Sequence, residues 1–296
     1  MIKADHLTKR FNKKTAVNDV SLDVAKGQIF GLLGPNAAGK TTVIRMLCGI
    51  IECDEGEVRL NDMSVKRAKT DFGYVAQHFG QYEELSVWEN LQFYARIYNV
   101  TDEQWLNFLL DRYDLTTFKD QRAGTLSGGY KRRLALTCAL AHEPKILFLD
   151  EPTAGIDPLT RKLLWDDFYR LSTEGKTLFV TTHYMEEAQR CHQLAFLSAG
   201  QLVAQGSPDT IKQELGNASV YSTSIPYLPQ LRDTLAKLEG MILVNQFGNE
   251  LRLVASPHLD QSELESTIQS VTGTPPSLQS TEPNLEDVFI ALTQEQ

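Results

Sequence analysis

Short, continuous apolar runs alternate with amphipathic stretches over the first two thirds of the chain. Ile29–Leu33 and residues 146–149 and 178–180 are almost wholly apolar, without period-two alternation. Such runs are expected of strands in a parallel sheet that is covered on both faces. Residues 20–24 instead alternate between apolar and polar, which predicts a strand with one buried face. The pattern predicts an α/β fold.

Helical spacing dominates residues 83–141. Ser86 and Glu89 have the spacing of a capping box. The following stripe predicts a helix that packs against the core or a partner; it consists of Val87, Leu91, Tyr94 and Tyr98. A second helix is predicted to begin after Asp157, which can act as the cap, with Pro158 at the first helical position.

The pattern changes after about residue 216. Strands are predicted over residues 217–225, Met241–Phe247 and Glu250–Ala255, with Gly248 and Asn249 as a hairpin turn. Helices are predicted over residues 228–238, 262–271 and 285–292, with a strand-like SLQST segment before the last helix. We therefore expect one domain over residues 1–215 and a small α+β accessory domain over residues 216–296.

Composition places the 296-residue chain among soluble globular proteins, since 42% of its residues are hydrophobic and 23% are charged. The net charge of -9 argues against a protein that binds nucleic acid over its whole surface. Residues 216–296 hold 3 Lys+Arg against 10 Asp+Glu, a balance of -7, which leaves -2 for residues 1–215. Most of the acidity therefore belongs to the accessory domain.

The four cysteines contain no C-x-x-C pair, so neither a disulfide framework nor a zinc site is expected. The chain begins without the apolar segment of a signal peptide, and no apolar run reaches the roughly 18 residues of a membrane span. These observations predict a cytosolic protein, or one that a partner holds at a membrane.

A phosphate-binding loop follows the predicted strand Ile29–Leu33. The sequence matches G-x-x-x-x-G-K-[ST] between a strand and a helix, which is the context that this motif needs. The nucleotide-binding residues expected here are Gly34, Pro35, Asn36, Ala37, Ala38, Gly39, Lys40, Thr41 and Thr42. Backbone N–H groups would bind phosphate oxygens, Lys40 would contact the β- and γ-phosphates, and Thr41 would ligate magnesium.

Two acids end the apolar run at residues 146–149. Asp150 is the candidate for holding Mg²⁺, and Glu151 is the candidate for polarising the attacking water. A second anion site is predicted at Ser127, Gly128 and Gly129, where a hydroxyl and two unobstructed N–H groups open a helix. Because one chain rarely needs two γ-phosphate sites, we expect a dimer in which this segment closes over the nucleotide of the other copy.

These ordered motifs resemble the nucleotide-binding subunit of ATP-binding-cassette (ABC) transporters over residues 1–215. The resemblance implies a P-loop NTPase fold with a parallel core sheet, an antiparallel β subdomain and a helical subdomain. It also implies that Phe11 stacks on adenine, that residues 154–157 form a dimer-interface loop, and that His183 senses the γ-phosphate. Gln77 would join Thr41 and Asp150 at the magnesium ion and link the nucleotide to a membrane partner. The implied catalytic residues are Glu151, His183, Gln77 and Lys40, with ATP and Mg²⁺ as cofactors.

The tail EPNLEDVFIALT closely resembles the end of drug-resistance-type ABC exporters. This similarity implies a peripheral ATPase subunit on the cytoplasmic face of the membrane, partnered by a membrane permease and a second cassette, and no nucleic acid. Three alternatives stay open: an ABC importer subunit, a non-transport ABC regulator and a simple P-loop kinase. A kinase would have no use for the LSGG segment at residues 126–129.

Two residues depart from the family pattern. Ala37 stands where glycine is usual, and a positive φ there would cost an L-residue about 1–2 kcal/mol. Its Cβ is also expected to crowd the phosphate and weaken nucleotide binding. Tyr130 follows LSGG where a polar residue or methionine is usual, and no mechanism is assigned to it.

Overall fold

The computed structural model describes residues 1–226 and 228–294, which contain both strands and helices. In chain order the elements as far as Gly206 are β1 (Ile2–Phe11), β2 (Lys14–Val24), β3 (Ile29–Leu33), α1 (Lys40–Leu47), β4 (Glu55–Leu60), β5 (Met63–Ser64), β6 (Phe72–Val75), α2 (Val87–Ile97), α3 (Glu103–Arg112), α4 (Gly128–Leu140), β7 (Ile146–Asp150), α5 (Pro158–Thr173), β8 (Thr177–Thr182), α6 (Met185–Ala188), β9 (Gln193–Ser198) and β10 (Gln201–Gly206). The remaining elements are α7 (Pro208–Lys212), β11 (Ser219–Ser224), α8 (Pro229–Leu235), β12 (Met241–Phe247), β13 (Glu250–Ala255), α9 (Gln261–Thr272), β14 (Gln279–Ser280) and α10 (Leu285–Gln294). Single 3₁₀ turns lie at Thr116–Phe118, Ala123–Thr125 and Gln213–Leu215.

The predicted buried strands form the centre of a sheet with the order β10-β9-β3-β8-β7-β6. The pairs that join β9, β3, β8, β7 and β6 are all parallel. Every residue of β3, β7 and β8 is buried, which explains why these strands lack alternation. Parallel strands end at the same edge, so the loops after β3, β6, β7 and β8 lie together there.

The two faces of this sheet are covered by different layers. Leu147, Leu149 and Val180 face a core that includes buried residues of α2, α3, α4 and α5. Phe148 and Phe179 face a core shared with α1 and a second sheet. That second sheet has the order β2-β1-β4-β5 and is antiparallel. The expected parallel sheet, antiparallel β subdomain and helical subdomain are therefore all confirmed.

The predicted helix starts agree with the structure. Ser86 and Glu89 form the capping box of α2, and Asp157 caps α5 with Pro158 at its first position. In the predicted stripe of α2, Val87 and Leu91 are fully buried. Among the described residues, no helix is both long and apolar enough to cross a membrane.

The C-terminal elements form a separate compact unit that begins at Gly206 rather than at residue 216. The difference arises because α7 packs against α10 and so belongs with the later elements. The sheet of this unit has the order β12-β13-β11-β14. Leu251 and Leu253 share a core with α8 and α9, whereas Val254 belongs to a second core against which Ile290 of α10 packs. The predicted βαββα order, with a further strand and helix, is confirmed.

Candidate functional site

The loop between β3 and α1 has the backbone conformation that a phosphate-binding loop requires. Gly39 has φ 111° and precedes α1 without any side-chain cap, so the first N–H groups of the helix have no capping side chain. A Cβ on Gly34 would lie 2.2 Å from the carbonyl oxygen of Leu197, so only glycine fits there. Ala37 has φ 66°, which confirms the expected left-handed conformation at this position. The loop presents backbone donors and a helix N-terminus to one side.

Lys40 is the cation of this site, and its side chain is only 4% exposed. Its Nζ donates to the carbonyl oxygens of Gly34 at 2.8 Å and Pro35 at 3.0 Å. The same Nζ lies 3.2 Å from Oε1 of Glu151. The buried charge is therefore held over the loop and beside the predicted catalytic acid.

Asp150, Thr41 and Thr181 form a hydrogen-bonded group at the end of β7. Thr181 Oγ1 donates to Asp150 Oδ1 at 2.6 Å, and Thr41 Oγ1 donates to the same oxygen at 3.3 Å. Burial raises the pKa of Asp150, while these two hydrogen bonds oppose that shift. Asp150 Oδ2 is buried without a hydrogen-bond partner. A carboxylate oxygen left free beside a hydroxyl suits a hard cation such as Mg²⁺, so the donor set fits that ion.

Glu151 gathers the remaining predicted catalytic residues around its carboxylate. Gln77 Nε2 donates to Oε2 at 3.1 Å, and His183 Nδ1 lies 3.2 Å from the same oxygen without the geometry of a hydrogen bond. The Gln77 side chain is therefore directed to the predicted catalytic acid Glu151, whereas Thr41 is the residue that contacts Asp150. Glu151 itself adopts φ 45°, an uncommon backbone conformation for a residue other than glycine.

A cleft of about 720 Å³ lies over this group. The predicted residues that line it are Phe11, Asn36, Ala37, Gly39, Lys40, Thr41, Thr42, Gln77 and Glu151. Phe11 ends β1 with 47% of its surface exposed, and Lys9 Nζ lies 5.6 Å from its ring centroid, so a large part of the ring is accessible to a planar ligand. The predicted residues Gly34, Pro35 and Ala38 belong to the same loop but do not line the cleft. Lys14, Thr15, Ala16 and Ala199 line it as well, although no sequence motif marks them.

The predicted second anion site at Ser127, Gly128 and Gly129 does not line this cleft. Ser127 and Gly128 are exposed, and Ser127 Oγ accepts from the Tyr130 N–H at 3.5 Å as the cap of α4. A Cβ on Gly128 would meet nothing within 4 Å, whereas one on Gly129 would lie 2.9 Å from Cγ2 of Thr160. The segment therefore presents an open surface outside its own nucleotide cleft.

Tyr130 has a packing role that the sequence does not reveal. Its ring centroid lies 4.3 Å from that of Phe118, and the Arg133 guanidinium lies 5.6 Å from the ring. The aromatic residue after LSGG therefore packs within the helical region.

Three residues near the site escaped the sequence analysis. Arg132 donates to the main chain of Gln77 and Glu151. Thr181 donates a hydrogen bond to Asp150. Its position near the end of an apolar strand could have marked it as a site residue, because the predicted site lies at the strand ends. Glu187 is 1% exposed and accepts from Thr153 and Thr182 at 2.6 Å each, which ties the segment after Glu151 to the one before His183. An acid in the four-residue helix α6 carries no sequence signal of burial.

Comparison with known proteins agrees with this geometry. The sequence profile of the ABC transporter family matches residues 17–154. The chain is 39% identical over 224 residues to the probable multidrug ABC transporter ATP-binding protein YbhF of Escherichia coli (strain K12). That alignment covers 73% of this chain but 39% of the relative's length. The chain is also 39% identical over 292 residues to the Nod factor export ATP-binding protein I of Bradyrhizobium sp. (strain SNU001), with 96% and 93% of the two chains covered.

Solved structures show the same architecture. The ATP-binding subunit of an ABC transporter superimposes with a TM-score of 0.67 at 26% identity, covering 73% of this chain and 93% of the other. A bacterial ABC transporter cassette that was solved as a dimer gives a TM-score of 0.66 at 25% identity, covering 70% and 98%. The chain belongs to the family of ABC transporter ATP-binding proteins.

Proposed function

We propose that the chain binds and hydrolyses ATP in the cleft between the Lys40 loop and Glu151. The observation that carries this proposal is the convergence of a buried lysine, a helix N-terminus and the Glu151 carboxylate on one cleft, with Asp150 hydrogen-bonded to Thr41 of the cleft lining. Lys40 and the N–H groups of the loop bind the β- and γ-phosphates, and Phe11 stacks on the adenine. The segment at Ser127, Gly128 and Gly129 supports an ATPase over a kinase, because a kinase would have no use for a second anion site.

Hydrolysis then requires a base for one proton. The carboxylate of Glu151 takes a proton from the attacking water, whose oxygen forms a bond to the γ-phosphorus as the bond to the β-phosphate oxygen breaks. Gln77 and His183, which both lie beside Glu151 Oε2, orient the water and the γ-phosphate. Thr41, Asp150 and Gln77 would hold Mg²⁺, which neutralises charge on the phosphates when bound.

The active form that we propose is a head-to-tail dimer. Ser127 and Gly128 are exposed, Gly129 is partly buried, and all three lie outside the cleft of their own chain, so the segment is available to the nucleotide of a second copy or a homologous cassette. Residues 154–157 would lie at the same interface. A related bacterial cassette, solved as a dimer, supports this arrangement.

We further propose that dimer closure drives export through a separate membrane permease at the cytoplasmic face of the membrane. The relatives named for multidrug transport and Nod factor export support export over import. The exposed aromatic and apolar residues of α2 are suited to contact the permease, and they include Phe93 and Ile97. The C-terminal unit, which the sequence predicts as an accessory domain over residues 216–296 and which begins at Gly206 in the structure, would support the dimer.

Purified full-length chain should release phosphate from ATP without phosphorylating an acceptor, and Glu151→Gln should lower this activity at least roughly 100-fold. Absence of turnover in the wild-type chain would overturn the proposal of hydrolysis, and transfer to an acceptor would favour the kinase. Co-purification with a permease from detergent-solubilised membranes tests the transport role. A chain that stays wholly soluble would favour the non-transport regulator, and uptake in vesicles would favour the importer.

A further inference from the structure

Arg132 joins the helix of the second anion site to both catalytic loops. It lies on α4, whose N-terminus carries Ser127. Its Nη1 donates to the carbonyl oxygen of Ala76 at 2.9 Å, and its Nη2 donates to that of Gln77 and, at 3.4 Å, to that of Glu151. One guanidinium therefore contacts the main chain of the loop that carries Gln77 and the main chain of the proposed catalytic acid.

The geometry requires an arginine. Ala76 and Gln77 follow β6, and Glu151 follows its parallel neighbour β7, in which Leu149 lies opposite Val75. A planar guanidinium presents several N–H donors in fixed directions and can bridge the ends of two strands, whereas a lysine ammonium is a single point charge. Burial lowers the pKa of Arg132, and the nearby Asp150 and Glu151 oppose that shift, so the group stays charged.

The contact with Glu151 falls on a strained residue. A left-handed conformation costs an L-residue about 1–2 kcal/mol, and it persists only where the surroundings enforce it. Thr181 Oγ1 accepts from the Glu151 N–H at 2.9 Å, and the Glu151 carbonyl accepts from Arg132 and from the N–H of Ala154. Arg132 is the one of these anchors that lies on α4.

We propose that Arg132 is a positioning residue that couples the two nucleotide sites of the dimer. Contact of a second copy's nucleotide with Ser127 and Gly128 would shift α4, and Arg132 would carry that shift to Gln77 and Glu151 of its own site. This inference rests on the proposed dimeric ATPase. It assigns Arg132 to the hydrolysis step and to cooperativity between sites, and not to the binding of ATP.

The test compares Arg132→Lys and Arg132→Gln with Arg133→Lys in the full-length chain. Arg133 is the matched control because it lies next to Arg132 on α4 but contacts Asp114 and the carbonyl of Tyr113. Steady-state ATP hydrolysis gives kcat, KM and the Hill coefficient. Both Arg132 variants should lower kcat at least about tenfold, as expected when an acid is misplaced by a fraction of an ångström. KM should stay within about twofold of the wild type, since no phosphate contact is lost, and the Hill coefficient should fall towards one.

The outcomes separate this inference from the proposed function. A wild-type chain without ATP turnover would overturn both. Cooperative turnover in the wild type that Arg132→Lys leaves intact would overturn only the role of Arg132. Equal losses in Arg132→Lys and Arg133→Lys, with parallel falls in thermal midpoint, would show a structural role for the helix and reject the coupling. If Arg132→Gln unfolds, the charge-conserving Arg132→Lys decides between these results.

Discussion

Lys40 and Glu151 form a buried ion pair, with Nζ 3.2 Å from Oε1 and the two side chains 4% and 7% exposed. The pair joins the loop after β3 to the end of β7, which are separate segments brought together at one edge of the sheet. A buried charge needs a partner, and each of these two side chains supplies the opposite charge to the other. The proposed cation for the phosphates and the proposed base for the water are therefore held in one ionic contact.

Glu151→Gln is expected to lower ATP turnover by at least roughly 100-fold, because a general base contributes about 10²–10⁴-fold. The amide retains the shape of the side chain but cannot accept the proton. The variant should therefore accumulate as an ATP-bound dimer, which size-exclusion chromatography with ATP would detect. A loss of turnover under about tenfold would contradict the assignment of the base.

Ala37→Gly is expected to strengthen ATP binding by roughly two- to fivefold, which corresponds to less than about 1 kcal/mol. Ala37 lines the cleft, so removal of its Cβ makes room beside the phosphates. Relief of the left-handed strain of about 1–2 kcal/mol outweighs the roughly 0.5–1 kcal/mol that glycine costs in chain entropy. The thermal midpoint of Ala37→Gly should therefore rise. Titration calorimetry would measure the affinity for ATP, and a thermal melt would measure the midpoint.

The matched control is Ala38→Gly. Ala38 is 3% exposed and lacks a positive φ, so glycine there removes packing and relieves no strain. This control should lower the thermal midpoint. Unchanged ATP affinity and turnover in Ala37→Gly would reject the idea that the methyl group weakens binding.

Most of the fold was predictable because local patterns and burial agree. The strands Ile29–Leu33, Met241–Phe247 and Glu250–Ala255 have the predicted bounds, since their apolar runs end at turn residues. The helix predicted over residues 228–238 is shorter, because a distorted turn follows Leu235 and Met241 donates back to the Leu238 carbonyl. The division into units could not be located from composition, because it depends on the packing of α7 against α10.

The candidate site was predictable where a motif fixes the chemistry of a residue. Lys40 and Glu151 have such motifs, and the expected positive φ at Ala37 is confirmed. The positive φ at Glu151 and the bridges made by Arg132 and Glu187 depend on distant segments. No local pattern indicates those contacts, because the partners of each side chain are chosen by how the strands and helices pack.

Gly128→Ala should leave the stability of the chain unchanged but lower ATP-dependent dimer formation at least about tenfold, the effect of roughly 1.4 kcal/mol. The added methyl group meets nothing within 4 Å in its own chain, so any loss must arise against a second copy. Light scattering of the Glu151→Gln background with ATP would measure the dimer.

The neighbouring glycine provides the contrast. Gly129→Ala should destabilise the chain, because its Cβ would lie 2.9 Å from Cγ2 of Thr160. The additional change Thr160→Ser removes that methyl group and should restore the thermal midpoint.

A dimer that forms normally with Gly128→Ala would exclude the surface at Ser127 and Gly128 from the interface.

Asp287→Asn should destabilise the C-terminal unit by about 3–5 kcal/mol, the range for breaking a buried ion pair. Asp287 is fully buried and accepts from Arg252 Nη2 at 2.6 Å and from Arg252 Nε at 3.2 Å. It also accepts from the Asn284 N–H at 3.0 Å at the start of α10. The acid of the NLEDVF segment therefore joins the last helix to β13.

Hydrogen exchange over residues 250–294 would measure this change. The three tryptophans all precede Gly206, so their fluorescence does not report on the C-terminal unit. Glu286→Gln, one position earlier in α10, is the control and should change the stability by less than about 0.5 kcal/mol. Equal exchange in the two variants would contradict a structural role for the Asp287–Arg252 pair.

His142 is expected to make the protein less stable in mild acid. Its Nε2 donates to the Phe72 carbonyl at 3.1 Å, its Nδ1 is buried without a partner, and its ring stacks on Tyr98 at 3.7 Å. Burial lowers the pKa of His142, the hydrogen bond to Phe72 opposes the shift, and Lys176 adds to it. The neutral ring is therefore favoured in the folded chain, and its stabilisation is complete above the unfolded pKa of about 6.5.

This stabilisation is lost as the pH falls through the lower pKa of the folded state, where the ring must take up a proton that finds no acceptor at Nδ1. His142→Gln keeps an N–H for Phe72 but does not titrate, so its free energy of unfolding should vary less between about pH 7.5 and 5.5. Denaturant unfolding at several pH values measures the slope of the free energy of unfolding against pH. His6→Gln should change the slope in the opposite direction, because the hydrogen bond and charge of Asp19 raise the pKa of His6. An unchanged slope in His142→Gln would show that protonation of this ring does not destabilise the fold.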